Sequence, residues 1–150
     1  MTKDFFPVFS DIRGKKAVMI GGGAIAARRM ATLCRFSFSL VAVAPDFCDD
    51  FLDLARRFPI TLVRRAFEPR DLEDAFLVVA ATDRRPVNRE VGRLARENHQ
   101  FVSVCDRREE CNFYFPALIE TETLTAGLIG DGSDHAAVSR AAKQIREILK

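Results

Sequence analysis

Residues 16–29 read KAVMIGGGAIAARR, and the fold follows from that stretch. Ala17–Ile20 is a short apolar run with branched side chains, the pattern of a buried strand. Gly21-Gly22-Gly23 breaks it, and Ala24 opens a run of good helix formers. Strand, glycine turn and helix carry the pattern G-x-G-x-x-A, with Gly21, Gly23 and Ala26 at the small positions. Gly21 permits a positive φ in the turn, Gly23 lets backbone amides approach a pyrophosphate, and Ala26 lets the helix lie close to the sheet. The N-terminus of that helix then presents unpaired N–H groups and the positive end of its dipole to phosphates. The stretch points to dinucleotide binding, and the alternative is a glycine-rich turn of some other α/β protein.

The totals agree with one ordinary globular domain. The chain has 150 residues, 48% of them hydrophobic and 29% charged, enough to build a core. A net charge of +2 is too small to argue for nucleic acid. No apolar stretch reaches the roughly 18 residues of a membrane span, and no secretory signal is visible. The four cysteines, Cys34, Cys48, Cys105 and Cys111, form no CxxC pair and match no zinc module, so no metal ligand is assigned. The expected compartment is the cytoplasm, with reduced thiols.

Outward from the glycine turn, strands and helices alternate. The first helix is expected over 24–35, with Ile25, Met30, Leu33 and Cys34 inward. Strands are expected over 39–44, 60–63, 76–81 and 101–105, and helices over 49–58 and 87–98. Phe51, Leu54, Ala55 and Phe58 form the apolar face of the second helix. Residues 67–72 read as a loop with one helical turn. FLVVAA at 76–81 is continuously apolar, as befits a parallel strand buried on both faces. Then the pattern changes: residues 112–119 and 124–129 read as a strand pair. A last helix runs to about Leu149, capped by Ser133 or Asp134, with Ala137, Ala141, Ile145 and Ile148 or Leu149 inward. The expected architecture is an α/β, Rossmann-like doubly wound parallel sheet with a C-terminal strand pair and final helix. Residues 1–150 make a single NAD(P)-binding domain in which 112–150 are an appendage for substrate or dimerisation.

Ligands of such sheets bind at the carboxyl ends of the strands. There the chain places Gly21–Ala24, then Pro45 and Asp46, then Arg64 and Arg65, then Thr82–Arg85, then Asp106–Arg108. Three arginine pairs therefore emerge on one edge, a pattern suited to carboxylate or phosphate groups or to simple surface charge. Asp106 reads either as a carboxylate that handles a proton beside a nicotinamide or as a loop hydrogen-bond acceptor. His135 heads the last helix and reads as a proton shuttle, a metal ligand or an exposed residue. His99 ends a helix, where positive charge is favourable. Cys105 and Cys111 are either soft ligands or small core residues. An acidic residue usually holds the ribose at the end of the second strand, but here Asp46 comes slightly late, and spacing does not decide between NAD and NADP.

These residues together resemble the precorrin-2 dehydrogenase and sirohydrochlorin ferrochelatase family, which includes the N-terminal domain of siroheme synthase. The resemblance spans Phe5 to about Arg146. It rests on Pro7-Val8-Phe9 with Gly14-Lys15, GGGAIAARR at 21–29, VAVAPDF at 41–47, VVAATD at 78–83 with Asn88, VSVCD at 102–106 and CNFYFPA at 111–117. It implies NAD-dependent dehydrogenation of precorrin-2, a polycarboxylate tetrapyrrole, to sirohydrochlorin. The alternatives are a bifunctional dehydrogenase and chelatase that also takes ferrous iron, and a non-catalytic nucleotide- or tetrapyrrole-binding module. Carried over by position, the NAD contacts fall on Gly21, Gly23, Ala24, Ile25, Pro45, Asp46 and Thr82, and the essential aspartate on Asp106. Arg84, Arg107 and His135 are the expected substrate contacts. A homodimer joined through the closing strands is also implied. Where the family has a serine and then a proline after the last strand, this chain has Gly130 and His135, and Ser37 replaces the usual glycine before the second strand. Longer members add a helical region beyond this point, which leaves chelation open.

Overall fold

The computed structural model describes residues 3–149. They divide into two compact units, residues 11–113 and residues 3–10 together with 114–149. The larger unit holds β1 (Lys16–Ile20), α1 (Ala24–Leu33), β2 (Ser39–Val43), α2 (Asp49–Arg57), β3 (Ile60–Val63), β4 (Ala75–Ala80), α3 (Arg85–Glu97) and β5 (Phe101–Val104). The five strands form one parallel sheet in the order β3-β2-β1-β4-β5. Right-handed crossovers run one way from β1 to β3 and the other way from β4 to β5, which sends α1 and α2 to one face and α3 to the other. The chain reverses direction between β1 and β4, so the glycine turn sits at the topological switch point.

Burial explains the unbroken apolar strands. Ala17, Val18 and Met19 are fully buried in the central strand, as are Val78 and Val79 in β4. Val18, Ile20, Val43, Val78, Ala80, Val91, Ala95, Val102 and Val104 form one continuous core cluster. Burial of each such valine or isoleucine contributes about 1.5–3 kcal/mol. On α1 the buried stripe is Ala26, Ala27, Met30 and Leu33. Met30 and Leu33 are inward as expected, whereas Ile25 is exposed and Cys34 only half-buried. Small side chains in the first turn let α1 approach the sheet, and this turns Ile25 outward. The helix also stops at Leu33, because Arg35 N–H and Phe36 N–H bond three residues back, to Thr32 O and Leu33 O, and close the last turn. On α2 Phe51 and Leu54 are buried as expected. α3 begins two residues early, at Arg85, with Pro86 in its first turn. The turn expected within 67–72 is a 3₁₀ turn over Pro69–Leu72.

The strand expected over 112–119 begins only at Ala117. Residues 111–113 instead seal the free edge of β5. Val102 N–H donates to Asn112 Oδ1 at 2.6 Å, and Asn112 Nδ2 donates to Gln100 O at 3.0 Å. The backbone N–H groups of Asn112 and Phe113 both donate to Val102 O. Cys111 Sγ accepts from Val104 N–H at 3.1 Å. These bonds satisfy a sheet edge that would otherwise be open to pairing with another chain.

In the smaller unit β6 (Ala117–Glu120) and β7 (Thr125–Leu128) form an antiparallel hairpin, shorter than the expected pair. α4 (His135–Ile148) is capped by Asp134, whose Oδ1 accepts from Ala137 N–H at 2.9 Å. Its inward stripe is Val138, Ala141, Ala142 and Ile145. Ala137 and Ile148, expected inward, are exposed, because the cap places Ala137 at the open first turn and the stripe starts one residue later. Arg146 Nη2 donates to Leu118 O at 2.6 Å, and the Phe5 and Tyr114 rings meet edge to face at 4.8 Å. No helix of the described residues is long and apolar enough to cross a membrane.

α3 ends in a Schellman motif. Gln100 N–H bonds Ala95 O and His99 N–H bonds Arg96 O, with His99 at φ 56°. Glycine is the residue suited to that conformation. His99→Gly is therefore expected to stabilise the protein by about 0.5–1 kcal/mol, read as a raised midpoint in urea unfolding. An unchanged or lowered midpoint counts against strain at this position.

Candidate dinucleotide site at the carboxyl edge of the sheet

The three glycines of the turn serve different ends. Gly21 has φ 129°, and a Cβ on it would lie 2.2 Å from Ala81 O. Its own N–H bonds Val43 O at 2.9 Å, while Ala81 N–H bonds Ile20 O at 2.8 Å. Gly22 has no room for a side chain either, since a Cβ would lie 2.1 Å from Asp46 O. The G-x-G-x-x-A pattern gives Gly22 no role, and it is the packing around Asp46 that requires a glycine there. Gly23 differs: a Cβ there meets nothing within 4 Å. It is exposed and is the N-cap of α1, which has no side-chain cap and no acidic residue in its first turn. Ala24 and Ile25 follow it, both exposed. The result is an open cradle of backbone N–H groups at the positive end of a helix, and it fits a dinucleotide pyrophosphate.

The neighbouring loops complete the edge. Pro45 and Asp46 are exposed at the end of β2, and Asp46 has no partner among the described residues. Thr82, after β4, is half-buried and its hydroxyl is already committed. It donates to Asn88 Oδ1 at 2.7 Å and accepts from Arg84 N–H at 3.1 Å. Asn88, 1% exposed, also takes Thr82 N–H at 3.0 Å and gives Nδ2 to Thr82 O at 3.0 Å. Asn88 is thus the residue that shapes this loop, a role that sequence spacing alone did not assign.

Asp106 lies just beyond β5, whose end is tied to β4 by Cys105 N–H on Ala80 O at 2.9 Å. Its Oδ1 accepts from Arg85 Nη1 at 2.8 Å, and Asp106 has no other side-chain hydrogen bond or ion pair among the described residues. Arg85 Nη2 bonds the Glu110 carboxylate on its other side. Glu110 and Asp106 raise the Arg85 guanidinium above its usual range. Solvent screens ion pairs exposed to this degree, so their effect is chiefly orientation. Arg85 stands at the first position of α3, where a cation opposes the helix dipole, and its two carboxylate partners offset that cost. The expected substrate arginines, Arg84 and Arg107, are exposed and carry no ion pair among the described residues. Burial pushes the Cys105 thiol up, and nearby Arg29 partly counters it. His135 is exposed at the start of α4, in the smaller unit. A surface depression lined by Lys15, Leu72, Asp74, Asn98, Gln100 and Phe101 lies at the opposite, amino edge of the sheet.

Fold and cradle define a protein of the dinucleotide-binding class. The family described as "Putative NAD(P)-binding" matches residues 8–117, and the chain belongs to it. A multifunctional siroheme biosynthesis protein of Ruminiclostridium josui is 40% identical over 144 residues, covering 95% of this chain and 28% of that protein. The siroheme synthase of Pseudoalteromonas translucida is 30% identical over 145 residues, covering 97% of this chain and 31% of that protein. The chain therefore spans about a third of the length of these relatives. A solved structure titled SirC, precorrin-2 dehydrogenase, has the same fold, with a TM-score of 0.81, 23% identity, and coverage of 97% of this chain and 72% of that one.

Two glycine substitutions separate folding from binding. Gly21→Ala is expected to destabilise the protein by about 2–3 kcal/mol through strain against Ala81. Gly23→Val is expected to leave the unfolding midpoint nearly unchanged and to weaken NAD(P) binding by more than about tenfold in calorimetric titration. Full binding by a folded Gly23→Val protein would rule out this cradle.

Proposed function

We propose that the chain is an NAD-dependent dehydrogenase that converts precorrin-2 to sirohydrochlorin in siroheme biosynthesis. The observation that carries this reading is the Asp106 carboxylate, held on one oxygen by Arg85 and open on the other, at the sheet edge that bears the dinucleotide cradle. Its relatives include siroheme biosynthesis proteins, which supports the same choice of substrate.

Bound NAD supplies the hydride acceptor. Gly23, Ala24 and Ile25 would hold its pyrophosphate through backbone N–H groups, and Pro45 and Asp46 would serve its adenosine ribose. The Thr82 loop, shaped by Asn88, lines the space between the cradle and Asp106. Dehydrogenation removes two hydrogens from the macrocycle, one as hydride and one as a proton. Asp106 accepts the proton on Oδ2, because Arg85 occupies Oδ1. Arg84 and Arg107, unpaired and exposed, suit the carboxylates of the substrate periphery. The smaller unit exposes Phe6, Val8, Phe9, Leu124 and Ile148, and their burial against a second copy fits a homodimer.

An anaerobic assay with precorrin-2 and NAD is expected to yield NADH and sirohydrochlorin in step. Asp106→Asn should lower turnover by at least about a hundredfold and leave the Kd for NAD within about threefold. If wild-type protein binds NAD yet makes neither product, the dehydrogenase reading is wrong. Light scattering after gel filtration is expected to report a dimer, and Phe9→Asp with Val8→Asp should shift it to monomer. A wild-type monomer at micromolar concentration would argue against the dimer.

A further inference from the structure

We propose that Arg64 forms a subsite for a phosphate on the adenosine 2′-position, so that the cradle takes NADP as well as NAD. The inference rests on the dinucleotide reading above and extends it to the part of the cofactor that distinguishes the two nucleotides.

The subsite is built from the glycine turn outward. Cys48 N–H bonds Gly22 O at 2.8 Å, and a Cβ on Gly22 would lie 2.9 Å from the Phe47 ring. Phe47 is thus pressed against the turn that cradles the pyrophosphate. Its ring is nearly buried and packs on Phe51 with centroids 5.0 Å apart, so it is fixed from below. Arg64 follows directly on β3, whose last carbonyl, Val63 O, accepts from Ala44 N–H at the end of β2. From there the Arg64 guanidinium carbon lies 5.5 Å from the Phe47 ring centroid.

A cation–π contact of this kind commits no carboxylate to the guanidinium, so its N–H donors stay available to grip a phosphate. The next residue shows the contrast. Arg65 is used up by Asp71, with hydrogen bonds of 2.8 and 2.6 Å. Arg64 is exposed and has no carboxylate partner among the described residues. Asp46, also exposed and unpartnered, suits the free ribose hydroxyls of NAD. An acceptor for hydroxyls and a donor for phosphate thus stand at the ends of adjacent strands, and neither nucleotide is excluded.

The test is calorimetric titration of the full chain with NAD+ and with NADP+ separately. Both are expected to bind, with affinities within about tenfold of each other. Arg64→Ala should weaken NADP+ by at least about tenfold and NAD+ by less than about threefold, and Arg64→Lys should recover part of the loss. Phe47→Leu, which stays apolar and removes the ring face, should weaken NADP+ more than NAD+. If NAD+ binds and NADP+ does not, or if Arg64→Ala affects both equally or neither, the subsite is refuted while the dinucleotide reading stands. If neither nucleotide binds the wild-type chain, both readings fall.

Discussion

Everything at the carboxyl edge depends on how little space is left where β1 ends. Val43 O and Ala81 N–H close on the backbone of Ile20 and Gly21 from either side, and the Ala81 carbonyl fills the place of a Gly21 side chain. One residue on, the Asp46 carbonyl fills the place of a Gly22 side chain. Only then does space open, at Gly23. The turn is therefore tight where three strands converge and open at the N-terminus of α1. A single local motif meets both needs because backbone alone has no side chain to accommodate.

Polar groups around this edge act more by placing one another than by adding stability. The Arg85 pairs are half exposed, so their Coulombic gain is small, yet they leave Asp106 with one held oxygen and one open one. Asn88 is the opposite case. It is buried, all its bonds run to the Thr82–Arg84 loop, and losing it would strand Thr82 N–H and Thr82 O at about 1–3 kcal/mol each. Asn112 and Cys111 do for the edge strand what Asn88 does for the loop, taking the backbone groups that a sixth strand would otherwise have used.

Much of the fold was legible because its signals are local. Continuous apolar runs gave the five strands, the glycine turn gave the first crossover, and proline and glycine marked most ends. Errors fell where a neighbour overrides local pattern. Residues 112–116 look like a strand by composition, but β5 needed its edge sealed and the Asn112 side chain was the available group. Ile25 looks like a core residue by spacing, but the close approach of Ala26 and Ala27 to the sheet turned it outward.

The sequence by itself determined the strand–turn–helix that makes the cradle, the order of elements and the set of residues that reach the carboxyl edge. Those follow from conformational preference and hydrophobic period, which act over a few neighbouring residues. Only the tertiary structure decided which charged groups are consumed and which stay open. Arg85 meets Asp106 across 21 residues, and Arg64 meets Phe47 across adjacent strand ends. In both arginine pairs the two members are chemically alike, and only the packing of the sheet gives one a carboxylate and leaves its neighbour without one.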